Sequence, residues 1–221
     1  MNQHAFPSDI AFTPAVKAQQ VRQRSRATYE RMEAGRGWAT KLTADVQQFI
    51  EQQISIFVAT ANSEGQPYIQ HRGGPPGFLH VLDATTLAFA DFSGNRQYIS
   101  VGNLSENPRV HLFLIDYARK RRIKIWGVAR VSEDTELLAK LTPPNYRARI
   151  ERAIVIDVKA WDANCPQHIP QRFDAADVEQ ALSKRDNQIA ELEAEVKRLR
   201  AELSQVVVNR MDGDGLKADR R

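Results

Sequence analysis

"FADFSGNRQYISVGNLSENPRV", residues 89–110, decides how this chain is read. An apolar and aromatic run ends at Asp91, Ser93-Gly94-Asn95 supplies turn chemistry, and Arg96 stands where a short helical stretch begins, closed by Pro108. A strand that passes into a helix through such a turn exposes amides, a hydroxyl and a guanidinium in one small concavity. Free amides at a helix start favour an anion, and the forked donors of a guanidinium suit a phosphate. These residues leave two readings open. Either Ser93, Asn95 and Arg96 hold a phosphate, or Asn95 caps a helix and Arg96 stands in water.

Outward from this stretch the chain is written in short β-rich runs. ISIFVAT (54–60), QPYIQHR (66–72), FLHVLD (78–83), TLAFAD (86–91), RVHLFLID (109–116), RIKIWGVARV (122–131) and RAIVIDVKAWD (152–162) are each bounded by turn-prone residues. Many short strands at this spacing predict an antiparallel barrel or sandwich. Helices interrupt it. Thr43 precedes a helical repeat of Val46, Phe49 and Ile50 over residues 44–53, and short helices fit residues 96–104 and 134–141, the latter stopped by Pro143 and Pro144. The polar segment 15–32 reads as one surface helix ended by Gly35 and Gly37.

Two further clusters bear on an anion. In YARKRRIKIWG (117–127), Arg122 and Lys124 share one strand face while Ile123 and Ile125 share the other. That row of cations is either a wet sheet exterior or the wall of an anion site, and Arg119, Lys120 and Arg121 read as a solvated hairpin turn. In QHRGGPPGF (70–78), Gln70, His71 and Arg72 run into Gly73 and Gly74, which remove side chains where a flat group could approach, and into prolines that fix the path. A rigid hairpin without a ligand fits the same letters.

With 221 residues, 42% hydrophobic and 26% charged, the chain has room for one main core and a helical appendage. No apolar run approaches a membrane span, and the N-terminus lacks a secretory apolar core, so the expected address is cytoplasmic. One cysteine, Cys165, excludes an internal disulfide, and five scattered histidines give no metal-binding spacing, so no metal is expected. Cys165 itself reads as an ordinary loop thiol. The net charge of +4 is mild, and the basic run lacks the aromatic or helical signatures of nucleic-acid readers.

The last segment changes character. Val178, Leu182, Arg185, Ile189, Leu192, Val196, Leu199, Leu203 and Val206 follow alternating three- and four-residue steps, a heptad seam with one polar intruder. Glu195 and Arg200 fall where they could pair across a parallel seam. A coiled coil is expected, with a helix lying back on its own domain as the other reading. The expected layout is an N-terminal helical arm (1–42), a main domain (43–174), a coiled-coil helix (175–208) and a flexible tail (209–221).

Over residues 46–173 the order of features resembles the pyridoxamine 5'-phosphate oxidase-related FMN-binding split-barrel family. FADFSGNRQ, NLSENPRVHLFL and RRIKIWGVARV carry the resemblance, and NCPQHIPQRF is similar to a late loop of one family branch. The resemblance implies a mainly β, antiparallel split β-barrel and a homodimer with FMN at the subunit boundary. It implies phosphate ligands at Arg96 and at Arg122 or Lys124, and His71, Arg72 and backbone around Gly73 and Gly74 beside the flavin. Ser93 and Asn95 match the polar turn, and Trp161, Gln167 and Arg172 would reach the partner's flavin. Arg122 stands where the oxidase has glutamine, and the part that grips pyridoxal phosphate is not recognisable, so FMN binding carries over more readily than vitamin B6 oxidation. Relatives also use deazaflavin or haem, for which His71, His80 or His168 would be the candidate ligands.

The expected function is an FMN-dependent oxidoreductase passing electrons between a small donor, with a nicotinamide among the candidates, and oxygen or another small acceptor. The alternative is a non-catalytic FMN-binding or sensor module whose tail binds a partner. No catalytic side chain is singled out.

Overall fold

The computed structural model describes residues 5–144, 146–164 and 166–215, without the side chains of residues 164 and 207–215. Cys165 and the end of the expected flexible tail, 216–221, lie outside the described residues. Two compact units appear, Met1–Gln171 and Arg172–Arg221.

The first unit is built on strands β1 (Ser55–Ala61), β2 (Pro67–Gly73), β3 (Leu79–Asp83), β4 (Thr86–Phe92), β5 (Arg109–Asp116), β6 (Arg121–Ser132) and β7 (Ile150–Asn164). They form one antiparallel sheet in the order β2-β1-β5-β6-β7-β4-β3. Helices α1 (Pro14–Arg22), α2 (Arg26–Ala34), α3 (Ala44–Glu51), α4 (Ile99–Glu106) and α5 (Thr135–Leu141) accompany it, and α6 (Ala175–Gly215) makes up most of the second unit.

Alternation places the core. Val110, Leu112 and Leu114 of β5 and Ile123 and Ile125 of β6 are buried on one face, with Ile56 and Val58 of β1 and Ile154 and Ile156 of β7. Val46, Phe49 and Ile50, one stripe of α3, close the same core. Each such fully buried side chain contributes about 1.5–3 kcal/mol. On β4 and β7 the opposite face is covered too, where Ala88, Ala90, Ala153 and Val155 pack with Leu141 of α5. Cover on both faces explains why β4 is apolar without alternation.

The structure corrects the expected mainly β split barrel. The fold is mixed α/β, and the sheet is open: β2 and β3 are its two ends and do not pair with each other. The link between them is held elsewhere, with the amides of Gly74 and Gly77 donating to the carbonyls of Ile54 (3.1 Å) and Glu51 (2.7 Å). Those acceptors lie at the α3–β1 junction, and α3 packs against β3 and contributes to the core beneath the sheet.

The coiled-coil tail is corrected as well. Ala175–Gly215 is one helix whose seam residues, Val178, Leu182, Ile189, Leu192, Val196, Leu199 and Leu203 among them, stand 43–65% exposed. Knobs need a facing helix to receive them, and among the described residues none is packed along this seam.

The N-terminal arm also departs from the sequence pattern. Arg24 sits in the left-handed region at φ 60 and splits the expected single helix into α1 and α2. Arg26 then donates to Gln20 of α1 (2.6 Å) and to Glu33, whose buried carboxylate also accepts from Ser8 (3.1 Å). These polar ties hold two short helices together. Trp38, just beyond them, stacks on Trp126 of β6 at 4.4 Å.

Candidate anion-binding site

Residues 91–101 shape a cleft of about 220 Å³ between the end of β4, the start of α4 and β2. Strand alternation decides what β2 gives it. Register pairs Arg72 with Ile56 and Gln70 with Val58, so both side chains fall on the core-facing side and line the cleft. Asn95 and Arg96 come from the β4–α4 turn.

That turn is tighter than a simple helix cap. Asn95 Oδ1 accepts from the amide of Gln97 at 3.2 Å, so Asn95 closes a turn rather than the helix. Helix α4 begins only at Ile99, after Arg96 (φ 59) and Tyr98 (φ 53) have both adopted left-handed backbone. Each such residue costs about 1–2 kcal/mol, which the surrounding contacts have to offset. The N-cap, Tyr98, makes no side-chain bond to the helix amides, and among the described residues the amides of Ile99, Ser100 and Val101 have no acceptor. These three residues, at the positive end of the helix, line the cleft.

A chain of charges forms one wall. Asp91 Oδ1 meets Arg72 Nη1 at 2.8 Å and its Oδ2 lies 3.7 Å from Arg152 Nε, while Arg152 Nη2 pairs with Glu151 Oε2 at 2.8 Å. Arg152 also lies over the Tyr98 ring, 5.0 Å from its centre. The Tyr98 hydroxyl accepts from Arg96 Nε at 3.1 Å and donates to Glu151 Oε1 at 3.5 Å. Burial pushes the Asp91 carboxyl up, against the pull of Arg72 and Arg152, with Glu151 adding to the rise. The Ser93 hydroxyl, helped by the Arg152 charge, holds Glu151 below the usual carboxylate range. Three arginines against two carboxylates leave this wall net positive.

The remaining residues singled out in the sequence lie elsewhere. Register places His71, Phe57, Phe113 and Lys124 in one cross-strand row on the sheet face opposite Arg72. Arg122 shares that face, and its Nε is buried without an acceptor among the described residues. His71 Nε2 is hydrogen-bonded to Ser55 Oγ at 2.8 Å. The space beside Gly74 belongs to the chain itself, since a Cβ there would meet Phe78 Cβ at 2.6 Å; one at Gly73 would lie 3.1 Å from the His71 ring. Ser93 joins the wall through Glu151. Trp161 packs on the core and donates from Nε1 to the Lys41 carbonyl at 2.9 Å, pinning the arm. Gln167 is exposed in the turn after β7, and Arg172 lies in the second unit.

Within the basic run, Arg119 pairs with Asp116, and Arg121 makes a forked contact with Asp45 while lying over Phe49 at 4.7 Å. No group of three or more His, Cys, Asp or Glu among the described residues is placed to hold a metal ion. No described helix is long and apolar enough to cross a membrane. Sequence reasoning missed Asp91, Tyr98, Glu151 and Arg152; a charge closing the buried run TLAFAD was the available signal for Asp91.

A family model described as Pyridoxamine 5'-phosphate oxidase matches residues 42–197. The chain belongs to that family. Membership supports a flavin-binding function in general terms. Similar solved structures include HupZ of Group A Streptococcus, 19% identical over 59% of this chain and 98% of that one, with a TM-score of 0.45. An FMN-binding protein of Syntrophomonas wolfei subsp. wolfei is 13% identical over 67% of this chain and 97% of that one, at 0.44. HutZ of Vibrio cholerae, a heme storage protein, is 14% identical over 54% and 90%, at 0.36. Among curated proteins none matches the chain.

Proposed function

We propose that this family member binds FMN through the β4–α4 cleft and works as an oxidoreductase between a small donor, a nicotinamide among the candidates, and oxygen or another small acceptor. The observation that carries the reading is the convergence on one cleft of Arg72, Asn95, Arg96 and the first three residues of α4, whose amides have no acceptor among the described residues. These groups fit a phosphomonoester: its oxygens need several donors and a net positive wall. The volume, about 220 Å³, is below the roughly 300–1,000 Å³ of sites that enclose a drug-sized ligand. The cleft therefore suits the phosphate and part of the ribityl chain, with the ring outside it.

In this reading Arg96 and the α4 amides bind the phosphate, and Arg72 and Gln70 orient the chain that follows it. FMN, when bound, supplies electron transfer at its ring. A homodimer belongs to the same proposal. Phe57 and Ile69, left 37% and 65% exposed on the face that carries His71 and Lys124, support a subunit contact there.

Freshly purified protein is expected to be yellow and to release about one FMN per chain on denaturation. Arg96→Ala should weaken FMN about tenfold, the low end for a hydrogen-bonded charged group because this side chain is exposed. Colourless protein that binds no added FMN overturns the reading. A second reading, a flavin-holding module without turnover, is favoured by Asp91 and Glu151, both engaged by arginines rather than presented to a substrate. Rapid flavin reduction by NADH or NADPH followed by reoxidation selects the enzyme; tight binding without reduction by either selects the module.

A further inference from the structure

We infer that Tyr98 is the positioning residue of this cleft: it anchors Arg96 by one nitrogen and leaves the guanidinium's other two for a phosphomonoester. The inference rests on the phosphate-binding reading above and extends it to a residue that does not itself need to touch the ligand.

Arg96 is exposed and its stem is flexible, so a bare arginine here would lose rotamer freedom on binding. Its Nε instead donates to the Tyr98 hydroxyl at 3.1 Å, and among the described residues Nη1 and Nη2 have no acceptor. The anchor is itself fixed. Arg152 lies 5.0 Å over the Tyr98 ring, the hydroxyl reaches Glu151, and Arg152 is held by Glu151 and Asp91. Tyr98 also sits at φ 53, a backbone state that a bulky residue adopts only when its neighbours hold it there. An aromatic residue at the head of a helix, where Ser or Asp would satisfy the amides, makes sense if those amides are reserved for a ligand.

Holding one face of a charged fork in place lowers the entropy lost on binding without adding a contact. Tyr98→Phe removes the hydroxyl and keeps the ring over Arg152, so the fold is retained. The test titrates full-length, flavin-stripped protein with FMN and with riboflavin, which differ by the phosphate, and follows quenching of flavin fluorescence. Tyr98→Phe is expected to weaken FMN about fivefold, the effect of one modest hydrogen bond, and to leave riboflavin within about twofold. In Arg96→Ala the further change Tyr98→Phe is expected to have no additional effect, because tyrosine acts through the arginine. Equal losses for both ligands, or a full additional loss in the double variant, overturn the positioning role. If wild-type protein does not prefer FMN to riboflavin, the phosphate reading itself falls, and this inference with it.

Discussion

Replacing Asp91 tests whether the charged wall is a structural device. Its carboxylate is 7% exposed and is shared between Arg72 and Arg152, each 18% exposed. Removing one partner of a buried ion pair costs about 3–5 kcal/mol when the other is left dry. Here both arginines keep some access to water, so Asp91→Ala should lose about 2–3 kcal/mol by the same argument. Asp91→Asn preserves volume and can still accept from Arg72, so about 1–2 kcal/mol is expected. Urea unfolding followed by tryptophan fluorescence measures both. The pH dependence gives a sharper check. Burial raises the folded-state carboxyl above its unfolded value of about 3.9. As pH falls, the native state takes up the proton before the unfolded one, so this group's contribution to stability grows from the folded value down to the unfolded one. Asparagine lacks that proton, so the advantage of wild type over Asp91→Asn should widen from neutral pH toward pH 4. A gap that narrows would mean the arginines outweigh burial, and equal stability at neutral pH would refute the wall as a structural element.

Other perturbations read other parts of the fold. Burial, with Lys124 nearby, holds His111 below its ordinary value, and its Nε2 has no hydrogen-bond partner among the described residues. The unfolded chain then protonates first, so stability present above about pH 6.5 should fall as pH drops, and His111→Phe, beside Trp126, should flatten part of that loss in thermal melts; an unchanged slope would count against it. Gly127 sits at a β6–β7 register shift where a Cβ would lie 2.6 Å from Ile156 Cγ2 and 3.0 Å from the Asp157 carbonyl. Gly127→Ala should therefore cost about 1–3 kcal/mol by overpacking, and a melting temperature equal to wild type would show that the bulge yields freely.

How much was legible follows from the range of each signal. Strand existence was readable because burial alternates with period two: LFL in β5 and IKI in β6 each announce their own core face. The β4–α4 turn was readable because Asn95, Arg96 and the helix start are neighbours in the chain. Closure was not, because whether the two end strands pair is a long-range matter: β2 and β3 stay apart, and α3, from a different part of the sequence, packs on β3 and completes the core with Val46, Phe49 and Ile50. Gly74 fits either a flat ligand or a rigid hairpin on sequence alone; a Cβ there would meet Phe78, a neighbour that a missing side chain does not announce. The seam of α6 was periodic, but periodicity specifies a face and not its cover.

The grouping of basic residues shows the same limit at the site. His71 and Arg72 are adjacent letters, yet in a strand adjacent side chains point to opposite faces, so the cleft receives Arg72 while His71 joins Phe57, Phe113 and Lys124 on the other side. A list of cations near one another in sequence therefore overstates the charge that can reach one ligand. Asp91 makes the opposite point. As a letter it subtracts from an anion site, but by gripping Arg72 and standing beside Arg152 it keeps two half-buried cations in place, and Arg152 in turn steadies the tyrosine that anchors Arg96. An anion site on an open sheet edge needs such carboxylates, because unpaired arginines would repel one another and turn to solvent before any ligand arrived.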